Sequence, residues 1–148
     1  MFTAGRFVSA IRFRAMTYDM LDAAVVNFTY NEILKVAVGR ERPNGEDNKS
    51  FPSGHTSNAF ALATVAQRHY GWKIGAPAYG LACLMGISRI HQDKHWLSDV
   101  FAGATLGYIS GRTVTRVNGQ PERAPRAAWN VSPVFTRNAR GARISVTF

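Results

Sequence analysis

Three polar segments stand in fixed order along this chain, set between stretches of helical patterning. They are Lys35-x6-Arg42-Pro43, Pro52-Ser53-Gly54-His55, and Ser88-Arg89-x5-His95-x3-Asp99. They constrain the fold because they pool their chemistry only if the intervening helices double back. Pooled, they hold three cations, two histidines, a carboxylate and a glycine-loosened turn. That inventory suits gripping a phosphate and transferring it.

The patterning between them predicts helices. Leu21, Val25, Phe28, Ile33 and Val36 recur at helical spacing from about Thr17 to Gly39. Gly39 and Pro43 stop that run, since proline lacks a backbone donor and disfavours helix in the residue before it. Residues 40–52 read as a polar loop. A second helix is expected from Ser53–Ser57 to about Tyr70, a third over Ala76–Ile90 with Pro77 in its first turn, and a fourth over His95–Val114. Asn118-Gly119, Pro121 and Pro125 mark a linker. Alternation on either side of Arg140-Gly141 predicts a small β-hairpin. The expected organisation is an all-α bundle of about four core helices over 1–114, a linker over 115–128, and a C-terminal hairpin extension over 129–148.

With 148 residues the chain amounts to one domain. Its net charge of +9, carried mostly by arginine, calls for an anionic partner without saying which. Cys83, the single cysteine, sits in an apolar stretch and is expected in the core; no internal disulfide can form. No signal peptide is evident, because Arg6, Arg12 and Arg14 interrupt the first residues. The apolar run Ile74–Ser88 falls short of the roughly 20 residues that cross hydrocarbon, so helices buried in a soluble or peripheral domain are expected. Were the helices to span, both site loops would lie on one side. Arg6, Arg12, Arg14, Arg68, Lys73, Arg112 and Arg116 would then lie on the other, in keeping with the positive-inside rule.

Each residue type has a reason to be where it is. Lys35 and Arg42 are two helical turns apart and can point the same way at a helix end. Gly54 lets a ligand approach the backbone at a helix start, where free N–H groups attract anions. His55 beside such a phosphate can protonate a leaving oxygen. His95 and Asp99, four apart on one helical face, suggest a carboxylate that accepts the Nδ1 proton and leaves Nε2 as the attacking atom. Arg89 adds a clamp, supported by Ser88. His91 and His95 also stand four apart, but no second cluster completes a metal shell, and no metal or cofactor is expected. Asp93, Lys94 and His69 read as solvated.

These segments resemble the three-part signature of the type 2 phosphatidic acid phosphatase family, which shares its site with bacterial acid phosphatases and vanadium haloperoxidases. The resemblance covers residues 35–99. It implies a helical bundle that hydrolyses phosphate monoesters or lipid phosphates and pyrophosphates without a metal. By the same resemblance His95 is the nucleophile that forms a phosphohistidine, Asp99 orients it, and His55 is the acid and then the base. Lys35, Arg42, Ser53, Gly54 and Arg89 hold the phosphoryl oxygens. It further implies a site facing the periplasm or exterior, with membrane-surface contact. Only 34 residues precede Lys35, fewer than family members carry, so a truncated piece or a core completed in a homo-oligomer is expected. One alternative is a haloperoxidase holding vanadate. Another is a non-catalytic module binding anionic lipid through Arg112, Arg116, Arg123, Arg126, Arg137, Arg140 and Arg143. That arginine run lacks interleaved aromatics, so no nucleic acid partner is expected.

Overall fold

The computed structural model describes residues 3–119, with side chains from Ile11 onward, and the backbone of two strands at 128–136 and 139–147. The linker and the tail arginines beyond Gly119 therefore fall outside the described side chains. Four helices run α1 (Thr3–Val38), α2 (Gly54–Tyr70), α3 (Trp72–His91) and α4 (Leu97–Val117). Strands β1 (Ala128–Thr136) and β2 (Ala139–Thr147) pair antiparallel, with Ala128 opposite Thr147.

The helix number matches the sequence reading, and the boundaries move. α1 starts at Thr3, not near Thr17, because Ala, Arg and Met carry helical propensity through a stretch without hydrophobic period. α3 starts at Trp72, which leaves Pro77 inside the helix instead of in its first turn. α4 starts at Leu97, after His95, with Trp96 as its N-cap. Only Gly71 separates α2 from α3, at φ 76°, a backbone conformation that favours glycine. A Cβ on nearby Gly75 would lie 2.5 Å from Gln67 Cγ, so the corner closes only around glycine.

α2 is the hub of the bundle, packing on α1, α3 and α4, whereas α3 and α4 scarcely touch each other. Its union with α4 depends on a stripe of glycines. A Cβ at Gly103 would stand 2.5 Å from Ser53 O, at Gly107 2.0 Å from Ser57 O, and at Gly111 2.6 Å from Ala61 O. None of these distances admits a side chain, so the two backbones meet because the stripe has none. An open apolar groove of about 540 Å³ remains between α3 and α4, lined by Phe60, Trp72, Tyr79 and Tyr108 among others.

The interior is small and polar. Ala23, Ala61, Val65 and Val114 are buried together with Asn27, Asn31, Ser57, Thr64, Ser110 and Thr115. Large apolar side chains face outward instead, Leu81 at 70% exposure and Phe101 at 67%. The burial expected of these helices is thus not met. Of α3 only Gly75, Ala82 and Gly86 are buried, and Cys83 is exposed. None of the described helices is long and apolar enough to cross a membrane.

His69 is likewise not solvated. Its Nε2 lies 2.8 Å from Asp19 Oδ2, and Asn118 donates to Asp19 Oδ1 at 2.7 Å. This knot ties α1, α2 and the end of α4 together at the end of the bundle remote from the three polar segments.

Candidate active site

The end of α1, the start of α2, the end of α3 and the start of α4 converge on a cavity of about 320 Å³. It is lined by Lys35, Arg42, Glu46, Asp47, Gly54, His55, Arg89, Lys94 and His95. All three polar segments thus meet. Loop hydrogen bonds hold the convergence: Asn44 N donates to Asp93 O at 3.1 Å, Ser53 N to Asp99 O at 3.0 Å, and Lys94 N to Arg89 O at 3.1 Å.

α1 supplies Lys35 in its last turn and ends at Val38, with Gly39 at φ 57°. Arg42 therefore sits in the loop, not on the same helix as Lys35 as their spacing suggested; the turn after Gly39 carries it back to the cavity. α2 begins at Gly54 with no side-chain cap, so its first-turn N–H groups are left for a ligand beside Gly54 and His55. Ser53 is buried with its Oγ 2.9 Å from Thr56 Oγ1, and it does not line the cavity.

His95 differs from the sequence reading in its partner. Its Nδ1 lies 2.6 Å from Ser50 O and 4.0 Å from Asp99 Oδ2. The carbonyl, not the carboxylate, takes the Nδ1 proton, because His95 precedes α4 and does not share a helical face with Asp99. A carbonyl only accepts, so Nδ1 carries the hydrogen and Nε2 keeps its lone pair. Asp99 is fully buried and accepts from Arg40 Nη1 at 2.7 Å, from Trp96 N at 2.9 Å and from Ser50 Oγ. It therefore acts on His95 through Ser50 rather than by contact. His91 is exposed at the end of α3, and the turn after it removes the helical relation to His95.

The electrostatics favour neutral imidazoles among fixed cations. Burial holds the His95 pKa below 6.5, and Arg42 and His55 add to this against the Ser50 hydrogen bond and the Asp99 charge. Burial likewise lowers that of His55, followed by the charges of Arg89, Lys35 and Arg42. Lys35 pairs with Glu32 at 2.7 Å, Arg42 Nε with Asp47 at 2.6 Å, and Lys94 with Glu46. Hydrogen bonds from Lys94 and Arg42 in turn hold Glu46 and Asp47 below the usual carboxylate range. Arg89 Nε is buried with no hydrogen-bond partner in the described structure. An unmatched guanidinium donor on a cavity wall suits an anion.

Sequence reasoning missed Arg40 and Ser50, and it read Lys94 as solvated. Ser50 acts through its main-chain carbonyl, which leaves no mark in residue types. Arg40 stacks over Trp96 at 5.5 Å and reaches Asp99 across 59 positions of sequence. Nothing local in the chain announces that pairing.

Known proteins resemble the chain in sequence and in fold. A lipid A 1-phosphatase of Porphyromonas gingivalis is 44% identical over 80 residues, covering 52% of this chain and 18% of its own. Phosphatidylglycerophosphatase B of Bacillus subtilis is 32% identical over 94 residues, covering 53% of this chain and 46% of its own. The chain thus spans less than half of either curated relative. The crystal structure of Aquifex aeolicus LpxE superposes with a TM-score of 0.65 at 26% identity, covering 76% of this chain and 78% of that one. A transmembrane phosphatidylglycerolphosphate phosphatase from Bacillus subtilis gives 0.63 at 25% identity, over 81% and 73% of the two chains. The PAP2 superfamily model matches residues 17–122, well over half of the sequence. With that match and the shared fold, the chain belongs to the PAP2 superfamily.

Proposed function

We propose that this chain hydrolyses the phosphate monoester of a lipid or lipid-like substrate through a phosphohistidine at His95. The observation that carries this is the His95 tautomer: Nδ1–H is committed to Ser50 O, and the ring is neutral in a cavity walled by Arg42, Arg89, Lys35 and Lys94. Nε2 attacks phosphorus, the ester P–O bond breaks, and His55 gives its proton to the departing oxygen. His55 then takes a proton from water, the hydroxide attacks phosphorus, and the P–N bond breaks to return His95 and inorganic phosphate. Lys35, Arg42 and Arg89, with the Gly54 backbone, hold the phosphoryl oxygens. Fixed cations of this kind supply the largest share of catalysis by stabilising charge that builds in the transition state. Ser53 and Asp99 serve as positioning residues behind that wall.

Burial is the first cause that lowers the His55 pKa, and the charges of Arg89, Lys35 and Arg42 follow; a bound phosphate offsets those charges and so raises the proton affinity of the imidazole toward the donor role.

The lipid part of the reading rests on the relatives' names and on the outward apolar face of α3 and α4. Small residues between helices and large apolar ones outside suit an apolar surround. Arg68, Lys73, Arg112 and Arg116 gather at the end away from the cavity. The cavity end carries as many cations in Lys35, Arg40, Arg42, Lys49, Arg89 and Lys94, so an outward-facing cavity rests on the family resemblance and not on a charge bias.

The test is phosphate release from phosphatidate and from p-nitrophenyl phosphate in detergent with EDTA present. Wild type is expected to turn over both, and His95→Ala neither. Equal turnover by the two proteins would refute the assignment.

A further inference from the structure

Beside the main cavity lies a second pocket of about 170 Å³ between α1 and α2. It is lined by Phe28, Asn31, Glu32 and Asn58 together with an edge of Lys35, Gly54 and His55 that both cavities share. His95 lines only the main cavity. A phosphoryl group held on the cations thus has the nucleophile on one side, and His55 stands where the two spaces meet. In-line displacement expels the leaving group opposite the attacking atom, and the side pocket is the adjoining space that His95 does not line.

One buried atom of its lining residues is unsatisfied. Asn31 is 2% exposed, and its Oδ1 has no hydrogen-bond partner in the described structure. Its Nδ2 donates both hydrogens, to Asn27 O at 2.7 Å and to Ser57 Oγ at 3.1 Å. Ser57 Oγ donates onward to Asn27 Oδ1, and Asn27 Nδ2 donates to Asn58 Oδ1 at 2.5 Å. This relay fixes the amide, because reversing Asn31 would set its oxygen against the Asn27 carbonyl. The free Oδ1 lies 3.8 Å from where a Gly54 Cβ would be, next to Lys35 Nζ at 3.6 Å from the same point. It therefore borders the shared edge. A buried acceptor left empty is destabilising, so the pocket favours a ligand that brings a donor.

We infer that the side pocket is the leaving-group subsite, and that Asn31 Oδ1 selects alcohols bearing a hydroxyl or ammonium close to the ester oxygen. This rests on the phosphoryl-transfer reading above. The Glu32 carboxylate, paired on one oxygen with Lys35, extends the acceptor character of the wall, and Phe28 offers a face for the carbon skeleton. A phosphate on a hydroxyl-bearing headgroup fits this chemistry. Phosphatidate, whose carbons next to the ester carry only acyl groups, is turned over without this hydrogen bond and so less efficiently.

The test compares kcat/KM of the full chain for propyl phosphate, glycerol phosphate and ethanolamine phosphate, each with His95→Ala as the blank. Wild type is expected to favour a donor-bearing ester over propyl phosphate by about tenfold or more, since one buried hydrogen bond is at stake. Glycerol phosphate leading would identify the donor as a hydroxyl, ethanolamine phosphate as an ammonium. Asn31→Leu is expected to level the three, and Asn31→Asp, which keeps an acceptor, to retain the preference for ethanolamine phosphate. Turnover by wild type with no donor preference would overturn the subsite whatever the variants do. Preference surviving in Asn31→Leu would overturn the role of Asn31. Absence of His95-dependent turnover on every ester would instead refute the phosphatase reading itself.

Discussion

His95 keeps the Nε2 lone pair because a main-chain carbonyl holds its Nδ1–H, and the carboxylate four residues on acts at one remove. Asp99 holds Ser50 Oγ, Ser50 O holds His95 Nδ1, and Arg40 neutralises the buried charge that anchors the chain of contacts. Burial and Arg42 keep the His95 pKa below 6.5, so the imidazole stays neutral into mildly acid solution. The sign follows directly: a depressed native pKa means the folded protein binds fewer protons than the unfolded chain. That stabilisation is complete above about 6.5 and is lost as pH falls through the native value. For catalysis, the acid limb of kcat/KM marks protonation of Nε2. Removing the Arg42 charge in Arg42→Gln should move that limb to higher pH, because a cation that disfavoured protonation is gone. Measured pH profiles with an unmoved or lowered limb would contradict the coupling. His95, His55, Lys35, Arg42 and Arg89 were all legible from residue type and spacing. Ser50 was not, since a backbone acceptor has no sequence signature, and Asn31 was not, since a lone amide on a helix looks like solvated surface.

At the scale of elements, the site is assembled by how closely α4 can approach α2. Gly103, Gly107 and Gly111 let the backbones touch, which delivers Asp99 and His95 beside the Ser50–Ser53 turn. Gly107→Ala places a methyl 2.0 Å from Ser57 O and is expected to cost about 3 kcal/mol or more of stability. Gly80→Ala, with nothing within 4 Å, is expected to be neutral or slightly stabilising because alanine is the better helix former. Urea unfolding of both variants checks this, and equal midpoints would remove the stripe from its role. Four helices and the breaks at Gly39 and Gly71 were readable from glycine, proline and period. The true start of α4 was not. His95 looked helical by spacing, but Trp96 caps the helix and Asp99 in its first turn accepts the Trp96 N–H. A capping carboxylate and a helical-face carboxylate share the same spacing from a histidine.

Across the whole molecule, the packing is inverted relative to a water-soluble bundle: amides and hydroxyls inside, leucine and phenylalanine outside. Hydrophobic periodicity alone hides this inversion, because an apolar stripe on a helix marks a face without saying whether protein or lipid covers it. The polar interior is also what builds the site, since the Asn27–Ser57–Asn31 relay between α1 and α2 runs directly up to the cavity rim. The central claim is that phosphate passes through His95 Nε2. The most direct measurement is a rapid alkaline quench of the full chain turning over a radiolabelled phosphomonoester, followed by mapping of the label. The expected result is a base-stable, acid-labile phosphoryl group on His95 that is absent from His95→Ala. Turnover in which no label reaches the protein, or label on a residue other than His95, would contradict it.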